Sequence, residues 1–467
     1  MRKRKTTGWI GGVLLMMLFS WGMAGHAGAA SVQQDLYNVV IQDGADPWVY
    51  KHTDGNYYFT KTTGNNVTIW KSRTLTGLDA GESVSITTGG QSIWAPEIHY
   101  LNGAWYIYYA KDDGDNANHR MYVLENTSQD PLQGTWQDRG QVTDKTNKWA
   151  IDGTVLQVGN QLYFIWSGWE GNVNVSQKLY IARMSNPWTI VSDRVEISTP
   201  EYAWETNHNP HVNEGPQVVI RGNVINLIYS ASGSWTNDYC LGLITADMNA
   251  DLLQSSSWHK RSEPIFKSAN GIYGPGHASF TTSPDGTEDW IVYHNAKNNQ
   301  SGWNREIRMQ PFTWNANNTP NLGSPLAPNS KIPVPSGEPE RIRIEGEEGQ
   351  FGGAAYASGS PNGSGGMKAG HIDTADSYVE YRIAIASAGE YILSARTANG
   401  TTDLAWSTLQ ISVNGAEPAP FYITNKGWEN WGVSTKRVYL QAGENVVRFT
   451  KGNGYGEIDL IDVFPAN

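Results

Sequence analysis

Four carboxylates and one histidine recur in this chain a short way ahead of a tight turn. Asp46 stands nine residues before Gly55, Glu97 six before Gly103, Asp152 seven before Gly159, Glu214 eight before Gly222 and His277 nine before Gly286. Alone, an Asp or Glu beside a glycine is usually a turn or cap residue; the shared phase of all five lifts them above that reading. Carboxylates gathered in one concave site repel one another, so at least one is pushed to a higher pKa. A protonated acid facing an ionised carboxylate is what hydrolysis of a glycosidic bond requires. The acid protonates the leaving oxygen while the base activates water on the opposite face.

Something must bring these residues together, and the turns say what. Asp54-Gly55-Asn56 leads into Tyr57-Tyr58-Phe59, and Asn102-Gly103, Gly159-Asn160, Gly222-Asn223 and Asp285-Gly286 lead into similar aromatic and β-branched runs. Such dipeptides supply the positive-φ residues of a tight hairpin. The turn glycines lie 48, 56, 63 and 64 residues apart. That leaves room for about four short strands per unit, the content of one propeller blade. The expected fold is all-β: a five-bladed β-propeller over residues 36–335, with a β-sandwich or parallel β-helix as the competing readings. In a propeller the first strand of each blade lines the axis, so the five polar side chains converge on one funnel.

Composition agrees with a folded β protein. Of 467 residues only 17% are charged, while 20 Trp, 23 Tyr and 50 Gly are present. This excludes disorder and long coiled coils. A net charge of −11 makes phosphate backbones and anionic lipid poor partners, so neither nucleic acid nor membrane is expected. Arg2-Lys3-Arg4-Lys5, an apolar run and Ala27-Gly28-Ala29 read as a secretory signal peptide over residues 1–29, hence a secreted, extracellular protein. The single cysteine, Cys240, rules out an intrachain disulfide and reads as a small buried apolar residue. A monomer is expected.

The run from Asp46-Pro47 through Trp94-Ala95-Pro96-Glu97, Ile151-Asp152-Gly153 and Asn213-Glu214-Gly215-Pro216 to Gly276-His277 resembles glycoside hydrolase family 43. The resemblance implies an inverting hydrolase of arabinans, arabinoxylans or xylans, so plant cell-wall polysaccharide or oligosaccharide is the implied partner. It assigns Asp46 as general base, Glu214 as general acid and Asp152 as the residue that orients the acid and raises its pKa. His277 matches an axial histidine beside a hydrated cation, often calcium. Arg305 matches an arginine reaching the sugar pocket, Trp94 an apolar wall, and Glu97 receives a structural role. Two loops add candidates for substrate contact: His208, in Trp204-Glu205-Thr206-Asn207-His208-Asn209-Pro210-His211, and Trp169, a stacking platform or a packing residue. The expected activity is α-L-arabinofuranosidase, with β-xylosidase, endo-arabinanase and a non-catalytic sugar-binding propeller as alternatives. A fructan-cleaving propeller enzyme is disfavoured by His277 and Asp152.

Prolines 320, 325, 328, 333, 335 and 339 read as a linker, and from Arg341 the texture changes to a compact β-sandwich or jelly roll over residues 341–467. This region resembles carbohydrate-binding modules of families 6 and 35, through Ile344-Glu345-Gly346-Glu347, Gly427-Trp428-Glu429-Asn430-Trp431 and Gly456-Glu457-Ile458-Asp459-Leu460-Ile461-Asp462. The resemblance implies a structural calcium held by Glu345 and Glu347 with Asp459 or Asp462. It also implies a sugar platform of Trp428 with Tyr356. Glu457 stands where relatives often carry a sugar-binding Asn. The region is expected to be separable: its removal should spare hydrolysis of small aryl glycosides.

Overall fold

A computed structural model describes residues 31–33 and 35–466; the expected signal peptide lies outside them. Among the described residues the architecture is all-β, the helices being short 3-10 turns. None is long and apolar enough to cross a membrane.

Five antiparallel meanders follow one another. The first runs Trp48–Lys51, Tyr57–Thr60, Val67–Ser72, Glu82–Ile86. The second runs Gln91–Leu101, Ala104–Asp112, Arg120–Asn126, Gln137–Gln141. The third has Ala150–Val158, Gln161–Gly168 and Ser176–Asn186, the last paired by two short strands. The fourth is His211–Arg221, Val224–Ala231, Cys240–Asp247, His259–Lys260, and the fifth Tyr273–Thr282, Asp289–Ala296, Arg305–Trp314, Pro320–Asn321. A two-residue parallel pairing, Ser176 with His211 and Gln177 with Val212, joins the third sheet to the fourth. The turn glycines 55, 103, 159, 222 and 286 all have positive φ, as the hairpin reading requires.

Apolar packing joins the meanders in order and then closes the circuit. Ile69 and Trp105 share a cluster between the first and second, Tyr108 and Phe164 between the second and third, and Ile165 and Leu227 between the third and fourth. Ile228 and Ile291 meet between the fourth and fifth, and Phe59 meets Trp290 and Ile307 between the fifth and the first. Each fully buried side chain of this size contributes about 1.5–3 kcal/mol relative to exposure.

The first strands of the second to fifth meanders share a defect. Their register slips between Trp94 and Glu97, Ile151 and Thr154, Glu214 and Gln217, and Gly276 and Ser279. Positive φ falls at Ala95, Asp152, Gly215 and His277, and at Asp46 just ahead of Trp48. These are β-bulges, which bend a strand and re-aim a side chain. They also shift the sequence reading: the positive-φ residue is Ala95 in the second meander and Gly215 in the fourth, where the reading took Glu97 and Glu214.

Residues 341–465 form two sheets facing one another across a core that includes Ile383, Leu393, Ile411, Phe449 and Ile461. One sheet pairs Arg341–Glu345 with Glu457–Pro465, which also pairs Gly389–Asn399. The other contains Tyr378–Ile385, Gly443–Lys451, Trp406–Val413 and Ala419–Thr424. Two N-terminal strands pair far along the chain. Ser31–Gln33 adds to the edge of the C-terminal sheet beside Arg341–Arg343. Asp35–Tyr37 pairs with Lys331–Pro333, inside the segment read as a linker.

The two regions are held together by buried polar contacts. Gln42 donates to Ser434 and to the Tyr422 carbonyl, Arg396 lies 3.8 Å from the Tyr37 ring centroid, and buried Arg341 bonds Thr76 and Glu338. Lys426 forms an ion pair with Glu306, and both are buried.

Candidate active site

The bulges deliver Asp46, Asp152, Glu214 and His277 to one buried cluster. His277 Nδ1 lies 3.2 Å from Asp46 Oδ1 and 3.9 Å from Asp152 Oδ2. Asp152 Oδ2 accepts the Gly215 N–H at 2.9 Å, which ties it to the backbone beside Glu214. A Cβ on Gly215, at φ +54°, would stand 3.1 Å from the His277 ring, so this close approach requires glycine. On the other side Arg305 Nη1 stands 3.6 Å from Asp46, and its guanidinium lies 5.9 Å from the centroid of Tyr239, whose hydroxyl donates to Glu214 Oε1 at 2.8 Å.

The two expected catalytic carboxyls sit in opposite electrostatic settings. Around Asp46, burial opposes ionisation, but nearby His277, His294 and Arg305 outweigh it and hold the carboxyl well below the usual carboxylate range. Both histidines are themselves pushed down, first by burial. His294 Nδ1 accepts the Asp46 N–H at 3.0 Å, which places its proton on Nε2 and makes it a backbone support. Glu214 is pushed up to about 7, first by burial and also by the Asp46 charge, with Tyr239 and Arg305 pulling the other way. Asp152 is raised by burial and then by Glu214 and Asp46. The cluster can therefore present one ionised and one protonated carboxyl near neutral pH, which is the equipment for acid–base hydrolysis.

Other sequence candidates divide. Trp94 stacks on His119 at 3.9 Å between centroids, next to Ala95, whose N–H donates to Thr62 Oγ1. The Thr62 hydroxyl in turn bonds Asp46 Oδ2 at 2.5 Å, so Trp94 adjoins Asp46. Glu97 accepts from Gln217 and pairs with His99 at 3.0 Å; it ties the second meander to the fourth. His208 meets Asp238 at 2.8 Å, one residue from Tyr239. Trp169 is not a free platform: it is buried and stacked on Trp149 at 4.7 Å and 9°. Cys240 is buried, as expected.

Four residues of the site escaped the sequence reading: Thr62, Tyr239, His294 and Trp303. Trp303 is 68% exposed, and its indole donates to Ser234 Oγ at 3.3 Å, while Arg305 donates to the Ser234 carbonyl at 2.6 Å. It thus stands beside the arginine that reaches Asp46. The available signal was the dipeptide Gly302-Trp303, separated from Arg305 only by Asn304.

In the C-terminal region Arg343 donates to both oxygens of Asp462, at 2.7 and 2.8 Å. Asp459 accepts the Ser364 N–H at 2.6 Å and pairs with Arg396. Glu345 Oε2 and Glu347 Oε2 are buried with no hydrogen-bond partner. Burial first, then Asp459, raises both glutamates. Among the described residues no three His, Cys, Asp or Glu side chains already stand at metal-ligating spacing. Trp428 and Tyr356 are exposed, Tyr356 stacking on His371 at 4.1 Å. Glu457 is occupied by Lys368 at 2.8 Å, which also holds Glu429.

Comparison with known proteins places this geometry. Residues 37–320 match the profile of glycosyl hydrolases family 43, and residues 345–464 that of carbohydrate binding module family 6. The chain belongs to glycoside hydrolase family 43. An extracellular exo-α-(1→5)-L-arabinofuranosidase of Streptomyces avermitilis is 40% identical over 330 residues, 67% of this chain and 68% of its own. α-L-Arabinofuranosidase 43 of Humicola insolens is 35% identical over 356 residues, 72% of each chain. The crystal structure of an α-L-arabinofuranosidase from Lactobacillus brevis matches with a TM-score of 0.59 and 38% identity, over 63% of this chain and 98% of its own.

Proposed function

We propose that the protein is a secreted, inverting α-L-arabinofuranosidase that acts on arabinan or arabinoxylan. In this reading the five meanders are the blades of a propeller, and the C-terminal pair of sheets is a sandwich that binds saccharide. The observation that carries it is the split between Asp46, held anionic beside Arg305, and Glu214, pushed up to about 7. Asp46 takes a proton from water as the water attacks the anomeric carbon. Glu214 gives its proton to the departing glycosidic oxygen, and Asp152, bonded to the Gly215 N–H, orients it. Secretion and the choice of sugar are supported by the names of the relatives. Calcium fits the C-terminal region at Glu345 and Glu347, since two buried oxygens without partners suit a hard cation. Near His277 the donor set fits less well, because Nδ1 is already directed at Asp46, and no step is routed through an ion there.

The test is a screen of aryl α-L-arabinofuranoside, aryl β-xyloside and linear arabinan, with products sized and the first-formed anomer read by NMR. Arabinose alone, released as the β-anomer, is expected. Release of xylose, of internal oligosaccharides or of the α-anomer would overturn the sugar, the exo action or the inversion respectively.

A further inference from the structure

A cavity of about 320 Å³ opens between the N-terminal meanders and the C-terminal sheets, within the size range of small-molecule sites. Asp43, Lys61 and Asp79 line it from one side, and Trp406, Tyr422 and Lys436 from the other. The aromatics are there because of strand alternation. Leu409, Ile411, Phe421 and Ile423 turn into the core, so Trp406 and Tyr422 must turn out. They are 39% and 57% exposed and meet edge to face at 6.4 Å, although a large aromatic pair on an outer face is costly to leave uncovered.

The polar lining is balanced. Lys297 pairs with Asp43 at 2.6 Å and lies 5.7 Å from the Trp406 ring centroid. Lys61 donates to the Asp43 carbonyl at 2.7 Å, and Asp79 accepts from Thr435 at 2.7 Å. Both acids are already engaged, Asp43 by Lys297 and Asp79 by Thr435, so the two aromatic faces favour a neutral ligand rich in hydroxyls over an ionic one. The cavity also borders the segment that carries Asp46. Asp43 and Asp46 belong to one short segment, whose Gly44 N–H donates to the Arg305 carbonyl at 3.2 Å. Lys297 follows Ala296, the cross-strand partner of Arg305.

We infer that this cavity between the two regions is a second saccharide site, built by both, that holds the arabinofuranosyl chain whose end lies at Asp46 and Glu214. The inference rests on the activity proposed above and adds where the rest of the polymer lies. The probes are α-1,5-arabino-oligosaccharides from disaccharide to hexasaccharide, and an aryl α-L-arabinofuranoside. In Trp406→Ala the ratio of kcat/KM on hexasaccharide to that on aryl glycoside should fall about tenfold, through KM, and Trp406→Phe should restore most of it. Because the quantity is a ratio, partial misfolding does not imitate it. A ratio unmoved in both Trp406→Ala and Tyr422→Ala, or a loss of equal size on every probe, would overturn the site. Should the wild-type enzyme hydrolyse none of the probes, the activity reading falls separately. The cavity is then judged by calorimetric titration of hexasaccharide into the Trp428→Ala protein with and without Trp406→Ala: about tenfold weaker binding supports it, and equal binding refutes it.

Discussion

The axial acids and the acids of the C-terminal region start from similar ingredients and end in different states. Asp46, Asp152 and Glu214 each have assigned partners: Thr62 and Arg305, the Gly215 N–H, and Tyr239. The partners of Asp46 push it down, while burial and the Asp46 charge push Glu214 up against its own partners. Glu345 and Glu347 are crowded with Asp459, yet each keeps one buried oxygen with nothing to bond, and both shift upward together. Acids displaced in opposite directions are set up to pass a proton. Acids displaced in the same direction, with lone pairs left over, are set up to receive a cation.

The largest expected effect tests the first half of that contrast. Asp46→Asn and Glu214→Gln should each lower kcat by about three orders of magnitude or more while thermal unfolding stays cooperative. Near-normal turnover in either variant would end the acid–base assignment. The pH profile sharpens it. Glu214 must be protonated to act, so activity should fall as pH rises through about 7. Asp46 must be ionised, so the acid limb should lie below the usual carboxylate range. Tyr239 lowers the Glu214 pKa, so Tyr239→Phe should carry the basic limb to higher pH; a limb that stays put would assign it to another group.

Next in size is the bond between the two regions. Lys426→Met takes one of two cationic partners from buried Glu306, which keeps Arg308 at 2.8 Å, and should cost about 1.5–3 kcal/mol, read as a lower urea midpoint. An unshifted midpoint would mean that the regions are energetically separate, as the sequence texture suggested. An effect of similar size concerns the second acid cluster. Calcium at about a hundred times its Kd should add about 2.7 kcal/mol to stability, and Glu345→Gln should remove most of that gain. A melting curve indifferent to calcium and to chelator would leave the orphaned oxygens unexplained by a cation.

Much of this contrast was legible in the residues, and the failures have physical causes. The hairpin turns advertise themselves because positive φ restricts composition, so the meanders and the convergence of Asp46, Asp152, Glu214 and His277 could be read directly. Glu97 was misaligned because a bulge adds a residue without changing the alternation around it, so phase drifts between units. Thr62, Tyr239 and His294 lie outside the first strands, where no repeated signal marks them. Trp169 could not be told from a platform because either face of a strand can carry Trp, and only packing on Trp149 decides. Asp462 was left open because strand register, invisible in the sequence, sets it opposite Arg343.

The pairing of Ser31–Gln33 with Arg341–Arg343 carries a consequence for how the molecule is made. An early segment of the chain finds its partner only after some three hundred further residues have left the ribosome, and that partner strand leans in turn on Glu457–Pro465. Loop closure over such a span is slow and exposes unpaired edges meanwhile. This edge can therefore form only once residues 341–465 are available, and a nascent chain halted before residue 341 would leave Ser31–Gln33 without its partner strand.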